Sequence, residues 1–142
     1  MLIKQMSVFV ENTTGRLGKL TGILADAGVD IIACTIAETT DFGILRCIVP
    51  DPQTATDLLK KNGFTASLSN VIAVSIEDKV GGFNHVLQYL SEAQVGVKYV
   101  YSTVKNAGGK AVIVMKPDDP EKAVGVLTTK GVQLVSIEDF MA

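Results

Sequence analysis

The sequence predicts an α+β protein of two successive domains, each a β-α-β-β-α-β unit with an antiparallel sheet and both helices on one face. Three observations predict it. A shift of 66 positions lays the first half of the 142 residues over the second. Both halves alternate stretches of period-two hydrophobicity, the mark of strands, with stretches of helical spacing, in the same order. The second helix of each half opens on proline and aspartate, as Pro50-Asp51-Pro52 and as Pro117-Asp118-Asp119-Pro120.

Under that shift Val8 meets Val74, Val10 meets Ile76, Glu11 meets Glu77, Gly15 meets Gly81, Leu24 meets Leu90, Ala27 meets Ala93 and Val29 meets Val95. The matches fall on the apolar face and the first turn, where structure constrains residue type. In the first copy, Ile3 to Val10 alternates and is rich in β-branched and aromatic residues, so it reads as a strand. Leu17, Leu20, Ile23, Leu24 and Ala27 follow at helical spacing, and Gly28 stops the helix. A second strand runs from about Val29 to Glu38, Thr39-Thr40-Asp41 turns the chain, and Gly43 to Val49 is the third strand. Asp51 is placed to cap the next helix and Pro52 to take its first position. Ala55, Leu58 and Leu59 are that helix's buried stripe, Lys60 and Lys61 suit its C-terminal dipole, and Gly63 ends it. Phe64 to Leu68 is a short fourth strand.

Ser69-Asn70 joins the copies with almost no linker, which sets the domains at residues 1–69 and 70–142. The second copy repeats the plan. Val71 to Ile76 is the strand, Asp78 to Gly82 the turn, and Phe83, Val86, Leu87, Leu90 and Ala93 the helix stripe. Val97 to Val104 and Lys110 to Met115 form the hairpin, with Asn106, Gly108 and Gly109 in its loop. Gly131 ends the last helix, and Val132 to Val135 is the closing strand. Right-handed crossovers turn this order into a ferredoxin-like sheet of four antiparallel strands. The second strand is apolar on both faces, which fits a domain or subunit contact and predicts a homodimer.

Composition excludes several classes. A hydrophobic fraction of 47% supports an ordinary core, and a net charge of −2 offers no footprint for nucleic acid or anionic lipid. No apolar run nears the roughly 20 residues of a membrane span. The opening Met-Leu-Ile-Lys-Gln-Met lacks the basic region and apolar run of a signal peptide, so a cytoplasmic protein is expected. Cys34 and Cys47 are too few and too far apart for a disulfide scaffold or a C-x-x-C site, and small buried thiols are expected there. With His85 as the single histidine, no paired histidine–carboxylate set exists for a metal or for acid–base chemistry. No cofactor and no catalytic residue is expected.

The chemistry concentrates in Glu11-Asn12-Thr13-Thr14-Gly15-Arg16-Leu17-Gly18, the first strand-to-helix turn. A helix N-terminus has N–H groups without intrahelical partners and the positive end of the dipole, so Gly15 and Gly18 let a carboxylate or phosphate approach it closely. The alternative is a plain connection with Asn12 or Thr14 as the cap. Asn12 and Asp78 occupy matching positions; each can hold a ligand ammonium or cap its helix, and Asp78's charge favours capping. Gly15 and Gly81 either serve a ligand or simply permit a tight turn. Arg16 can pair with a carboxylate or stay solvated, and Gly82 takes its place in the second copy. Tyr99 and Tyr101 share a strand face and read mainly as core.

This turn, with Leu24-Ala25-Asp26-Ala27-Gly28-Val29-Asp30-Ile31 and Asp41-Phe42-Gly43-Ile44-Leu45-Arg46, resembles the ACT-domain signature. The resemblance covers both halves, Met1 to Ile137, and is to the freestanding tandem-ACT proteins. It implies an amino-acid-binding site where the strand–helix loop and second strand lie at the contact between two domains. Carried onto this sequence, the implied ligand residues are Asn12, Thr14, Gly15, Arg16, Leu17, Gly18 and Ile31, with Asp78, Gly81, Gly82 and Phe83 in the second copy. The family's usual proline before the glycine is Thr14 here and Val80 in the second copy, so both turns lose that ring's constraint.

The expected function is therefore non-catalytic sensing of a free amino acid, with regulation exerted through oligomerisation or on a separate metabolic enzyme. The alternative is a structural or regulatory assembly subunit with no small-molecule ligand. An RNA-binding domain of this topology needs aromatics on the third strand, which reads Gly43-Ile44-Leu45-Arg46-Cys47-Ile48-Val49. A metallochaperone needs cysteines in the first loop, which has none. An acylphosphatase-like enzyme needs a loop arginine, which only Arg16 supplies.

Overall fold

The structure, a computed structural model, describes residues 1–107 and 110–141. Two compact units divide the chain: Lys4–Ser69, and the residues from Asn70 onward grouped with Met1–Ile3. The first unit holds β1 (Ile3–Glu11) from Lys4 onward, α1 (Arg16–Asp26), β2 (Ala33–Glu38), β3 (Phe42–Ile48), α2 (Pro52–Lys61) and the start of β4 (Thr65–Glu77). The second holds the rest of β4, then α3 (Gly82–Glu92), β5 (Val97–Ala107), β6 (Lys110–Pro117), α4 (Pro120–Thr129), β7 (Gln133–Leu134) and α5 (Ile137–Met141). Strand order is β2-β3-β1-β4 in the first unit and β5-β6-β4-β7 in the second. Both units are thus ferredoxin-like, with an antiparallel sheet and helices on one side, as the sequence predicts.

Period decides each core. In the first unit Met6, Val8 and Val10 of β1 face Leu20 and Leu24 of α1, with Leu45, Cys47, Ala55 and Leu59 closing the cluster. In the second unit Ile72, Val74 and Ile76 of β4 pack with Val86 and Leu90 of α3 and with Ala123 and Leu127 of α4. Asp51 accepts hydrogen bonds from the Thr54 N–H at 3.2 Å and hydroxyl at 2.7 Å, and Pro52 opens α2. These bonds, the hydroxyl's foremost, hold the Asp51 carboxyl below the usual carboxylate range. Asp119 caps α4 the same way, accepting from the Lys122 N–H at 3.1 Å.

Several boundaries differ from the sequence reading. The strands expected at Phe64 to Leu68 and Val71 to Ile76 are one 13-residue strand, because the backbone stays extended through Ser69 and Asn70. The second strand begins at Ala33, not near Val29, since Val29 is drawn into the C-terminal turn of α1 by its N–H bond to the Leu24 carbonyl. β5 runs to Ala107, so Asn106 belongs to a strand; the expected loop glycines, Gly108 and Gly109, lie outside the described residues. α5 was not expected, although Ser136-Ile137-Glu138-Asp139 spells a capping box. The Ser136 N–H donates to Asp139 at 2.9 Å, and the Asp139 N–H to the Ser136 hydroxyl at 3.1 Å. Only one thiol is buried. Cys34 and Cys47 are direct partners across β2 and β3, but β2 is the outer strand and leaves Cys34 exposed. Burial, and secondarily Cys34, pushes the Cys47 thiol up to about 12.

The ends of α1 and α3 differ in one respect. Gly28 follows α1 with φ +74°, whereas its counterpart Gln94 holds φ +60°, alone among the described residues other than glycine. A side chain in that region costs about 1–2 kcal/mol. Gln94→Gly should therefore raise stability by about 1 kcal/mol, net of glycine's greater unfolded entropy. A urea melt showing a higher midpoint at unchanged slope would bear this out, and a lower midpoint would refute it.

Candidate functional site

The two strand–helix turns are built alike. Thr13 donates to the Glu11 carbonyl at 2.8 Å and Arg16 to the Thr13 carbonyl at 3.2 Å; Lys79 and Gly82 repeat these bonds at 2.9 and 3.0 Å. Gly15 and Gly81 then take the N-cap positions with φ +86° and +84°, and neither α1 nor α3 has a side-chain cap. The capping alternative for Asn12, Thr14 and Asp78 is thereby corrected: a left-handed glycine occupies the cap and supplies no oxygen. Asn12 instead faces the β2–β3 turn, donating its N–H to the Asp41 carbonyl at 3.0 Å and its side-chain amide to Thr40 at 3.4 Å. The N–H groups of Leu17 and Gly18, which a cap would satisfy, have no side-chain acceptor. The aspartate-capped α2 and α4 make the contrast within the same chain.

Beside the first turn is a cavity of about 120 Å³ lined by Val10, Glu11, Asn12, Thr13, Leu17, Ile36, Glu38 and Gly43. Register explains the set. Gly43 of β3 pairs with Val10 of β1 on one side and with Glu38 of β2 on the other. A Cβ on Gly43 would stand 3.4 Å from the Ala37 carbonyl oxygen and 3.9 Å from Ile36, so glycine keeps the floor low. Leu17 and Ile36 are 41% and 43% exposed, leaving apolar surface open at the rim. Of the predicted residues, Asn12 and Leu17 meet here. Arg16 lines a neighbouring cavity of about 270 Å³, with its guanidinium 4.0 Å above the Phe64 ring. Ile31 packs partly buried against the core.

The model of the ACT domain pair matches residues 1–142. The chain belongs to that family. A crystal structure of a Bacteroides thetaiotaomicron protein is 38% identical, with a TM-score of 0.92, covering 99% of this chain and 96% of that one. The ligand-free regulatory subunit of aspartate kinase from Thermus thermophilus is similar in fold at 13% identity, TM-score 0.63, covering 89% of this chain and 91% of that one. The corresponding Thermus flavus subunit gives 15%, 0.63, 91% and 94%. No curated protein shows significant similarity to the chain.

In the second half of this ACT pair, the matching turn keeps the backbone and differs in its side chains. Asp78, Val80 and Gly81 are exposed, Phe83 packs against the core, and Gly82 is buried against the Glu77 carbonyl. A cavity of about 340 Å³ adjoins it, with Glu77, Lys79, His85, Tyr89, Lys110 and Lys130 among its walls. Lys79 bridges to Glu77 at 2.8 Å; this bridge, aided by the charge of Lys110, holds the Glu77 carboxyl low, and the Glu77 carboxylate raises the Lys79 ammonium. Among the described residues, no group of three His, Cys, Asp or Glu side chains gathers to hold a metal. No helix among them is long and apolar enough to cross a membrane.

Ile36, Glu38 and Gly43, which line the 120 Å³ cavity, are not among the candidate ligand residues to which the sequence points. The hairpin register that gathers Glu38 and Gly43 was available from the short Thr39-Thr40-Asp41 turn, since loop length fixes pairing.

Proposed function

We propose that this ACT pair is a non-catalytic regulatory protein that binds a free amino acid at the strand–helix turn of its first domain. One observation carries the reading: α1 opens without a side-chain cap, and Leu17 of its first turn lines a small cavity bearing two carboxylates, Glu11 and Glu38. The ligand carboxylate meets the Leu17 and Gly18 N–H groups and the positive helix end. Its ammonium meets Glu11, Glu38 or the Asn12 side-chain oxygen. Thr14 and Gly15 shape the approach, Leu17 and Ile36 select the side chain, Arg16 adds positive charge from the adjacent cavity, and Ile31 supports the turn from the core. Asp78, Gly81, Gly82 and Phe83 form the equivalent turn of the second domain.

A volume near 120 Å³ favours a small amino acid. Signalling runs through a homodimer or to a separate metabolic enzyme in the cytoplasm, with coupling typically about 1–3 kcal/mol. The Thermus neighbours, regulatory subunits by description, accord with that role. Thermal-shift measurement with each of the twenty amino acids at millimolar concentration tests it. At least one small amino acid should raise the melting temperature; if none does, an assembly subunit without a ligand replaces this reading.

A further inference from the structure

Each domain has a cavity where the first strand ends, the first helix begins and the second helix gives way to the last strand. Every wall of the first-domain cavity has a counterpart in the second. Phe9, Val10, Glu11 and Arg16 correspond to Ser75, Ile76, Glu77 and Gly82 by the repeat. Phe42 corresponds to Lys110, since each pairs with the glutamate ending the central strand. Gly63, Phe64 and Thr65, past the end of α2, correspond to Gly131, Val132 and Gln133 past the end of α4.

What fills the two cavities differs in kind. In the first domain the Arg16 side chain reaches in and lies 4.0 Å over Phe64. In the second domain Gly82 has no side chain to send, and a Cβ there would run into the Glu77 carbonyl oxygen. The Phe64 ring is replaced by the smaller Val132, and the cavity opens to about 340 Å³ from about 270 Å³. The positive charge comes instead from the walls. Lys79 stands where the first domain has Thr13, Lys110 where it has Phe42, and Lys130 where it has Asn62. His85 lines the cavity as well, and Lys130 is held 5.5 Å over the Tyr89 ring. Among the described residues, the walls carry against these three lysines one carboxylate, Glu77, already bridged to Lys79. In a chain of net charge −2, two uncompensated positive charges around one concavity are a local reversal that costs mutual repulsion.

We propose that the second domain binds a small organic dianion, a dicarboxylate or a phosphate monoester, in the cavity walled by Lys79, His85, Lys110 and Lys130. Two negative charges match the surplus of the walls, the Gln133 amide and Tyr89 hydroxyl supply further polar partners, and the volume admits a molecule of a few carbons. The site is separate from the amino-acid turn of the first domain and does not depend on it.

Titration calorimetry on the whole chain with succinate, glycerol 3-phosphate and acetate tests the proposal. One of the two dianions should bind saturably and weaken as sodium chloride is raised, and which one binds identifies the class. Lys110→Gln and Lys130→Gln should each weaken it about fivefold, while Lys98→Gln, elsewhere in the same domain, leaves it unchanged. Gly15→Val should leave it unchanged too, so loss of amino-acid binding and loss of dianion binding are separable. The proposal is overturned if neither dianion binds, if acetate binds as tightly, or if Lys98→Gln weakens binding as much as Lys110→Gln.

Discussion

Gly82→Ala is expected to destabilise the second domain by roughly 2–4 kcal/mol, whereas Gly81→Ala, one position earlier, should cost only about 1–2 kcal/mol. The two glycines are needed for different reasons. Gly81 holds φ +84° with open space where a Cβ would stand, so its cost is conformational alone. Gly82 lies in the helix, but its Cβ would overlap the backbone oxygen of Glu77. Backbone cannot swing aside as a side chain can, so either α3 or the end of β4 must move. Arg16 occupies the same position in the first domain with a full side chain, so the constraint belongs to the second turn and not to the fold. Urea melts of both variants measure the difference; equal losses would refute the steric account of Gly82.

Gly15→Val should abolish amino-acid binding while the first domain stays folded. Valine is β-branched and strongly disfavoured at φ +86°, so the turn must rearrange and take the Leu17 and Gly18 N–H groups out of line. The fold survives because Gly15 is exposed and contributes no buried contact. With ligand at a hundred times its dissociation constant, the unmodified chain should gain about 2.7 kcal/mol of stability. The variant should gain none. A ligand-induced shift that persists in Gly15→Val would move the site away from this turn.

The elements that the sequence discloses are those whose cause is local. Alternation in Met6, Val8 and Val10, helical spacing in Leu20 and Leu24, and the Asp51-Pro52 and Asp119-Pro120 openings each act within one turn or strand, and each is found as expected. What escaped depends on pairing between strands or on the cost of ending one. Ser69-Asn70 reads as a break, yet nothing in those residues forbids extended backbone, and β4 passes through them. Glu38 enters the 120 Å³ cavity beside the first turn because Gly43 pairs with it. Arg16 turns to Phe64, a residue 48 positions away, which no local pattern signals. The start of α5 is local in cause too, since Ser136 and Asp139 spell its capping box.

The burial of Cys47 has a practical consequence for following this molecule. Both cysteines lie in the first domain, and all three tyrosines, Tyr89, Tyr99 and Tyr101, lie in the second, with no tryptophan anywhere. At neutral pH an alkylating reagent meets the exposed Cys34, while the Cys47 thiol is both shielded and held protonated. The count of labelled thiols thus rises from one to two only when the first domain opens, and tyrosine emission changes only with the surroundings of the second. Mass spectrometry after pulsed alkylation and intrinsic fluorescence therefore give separate clocks for the two halves of one chain, with no label introduced.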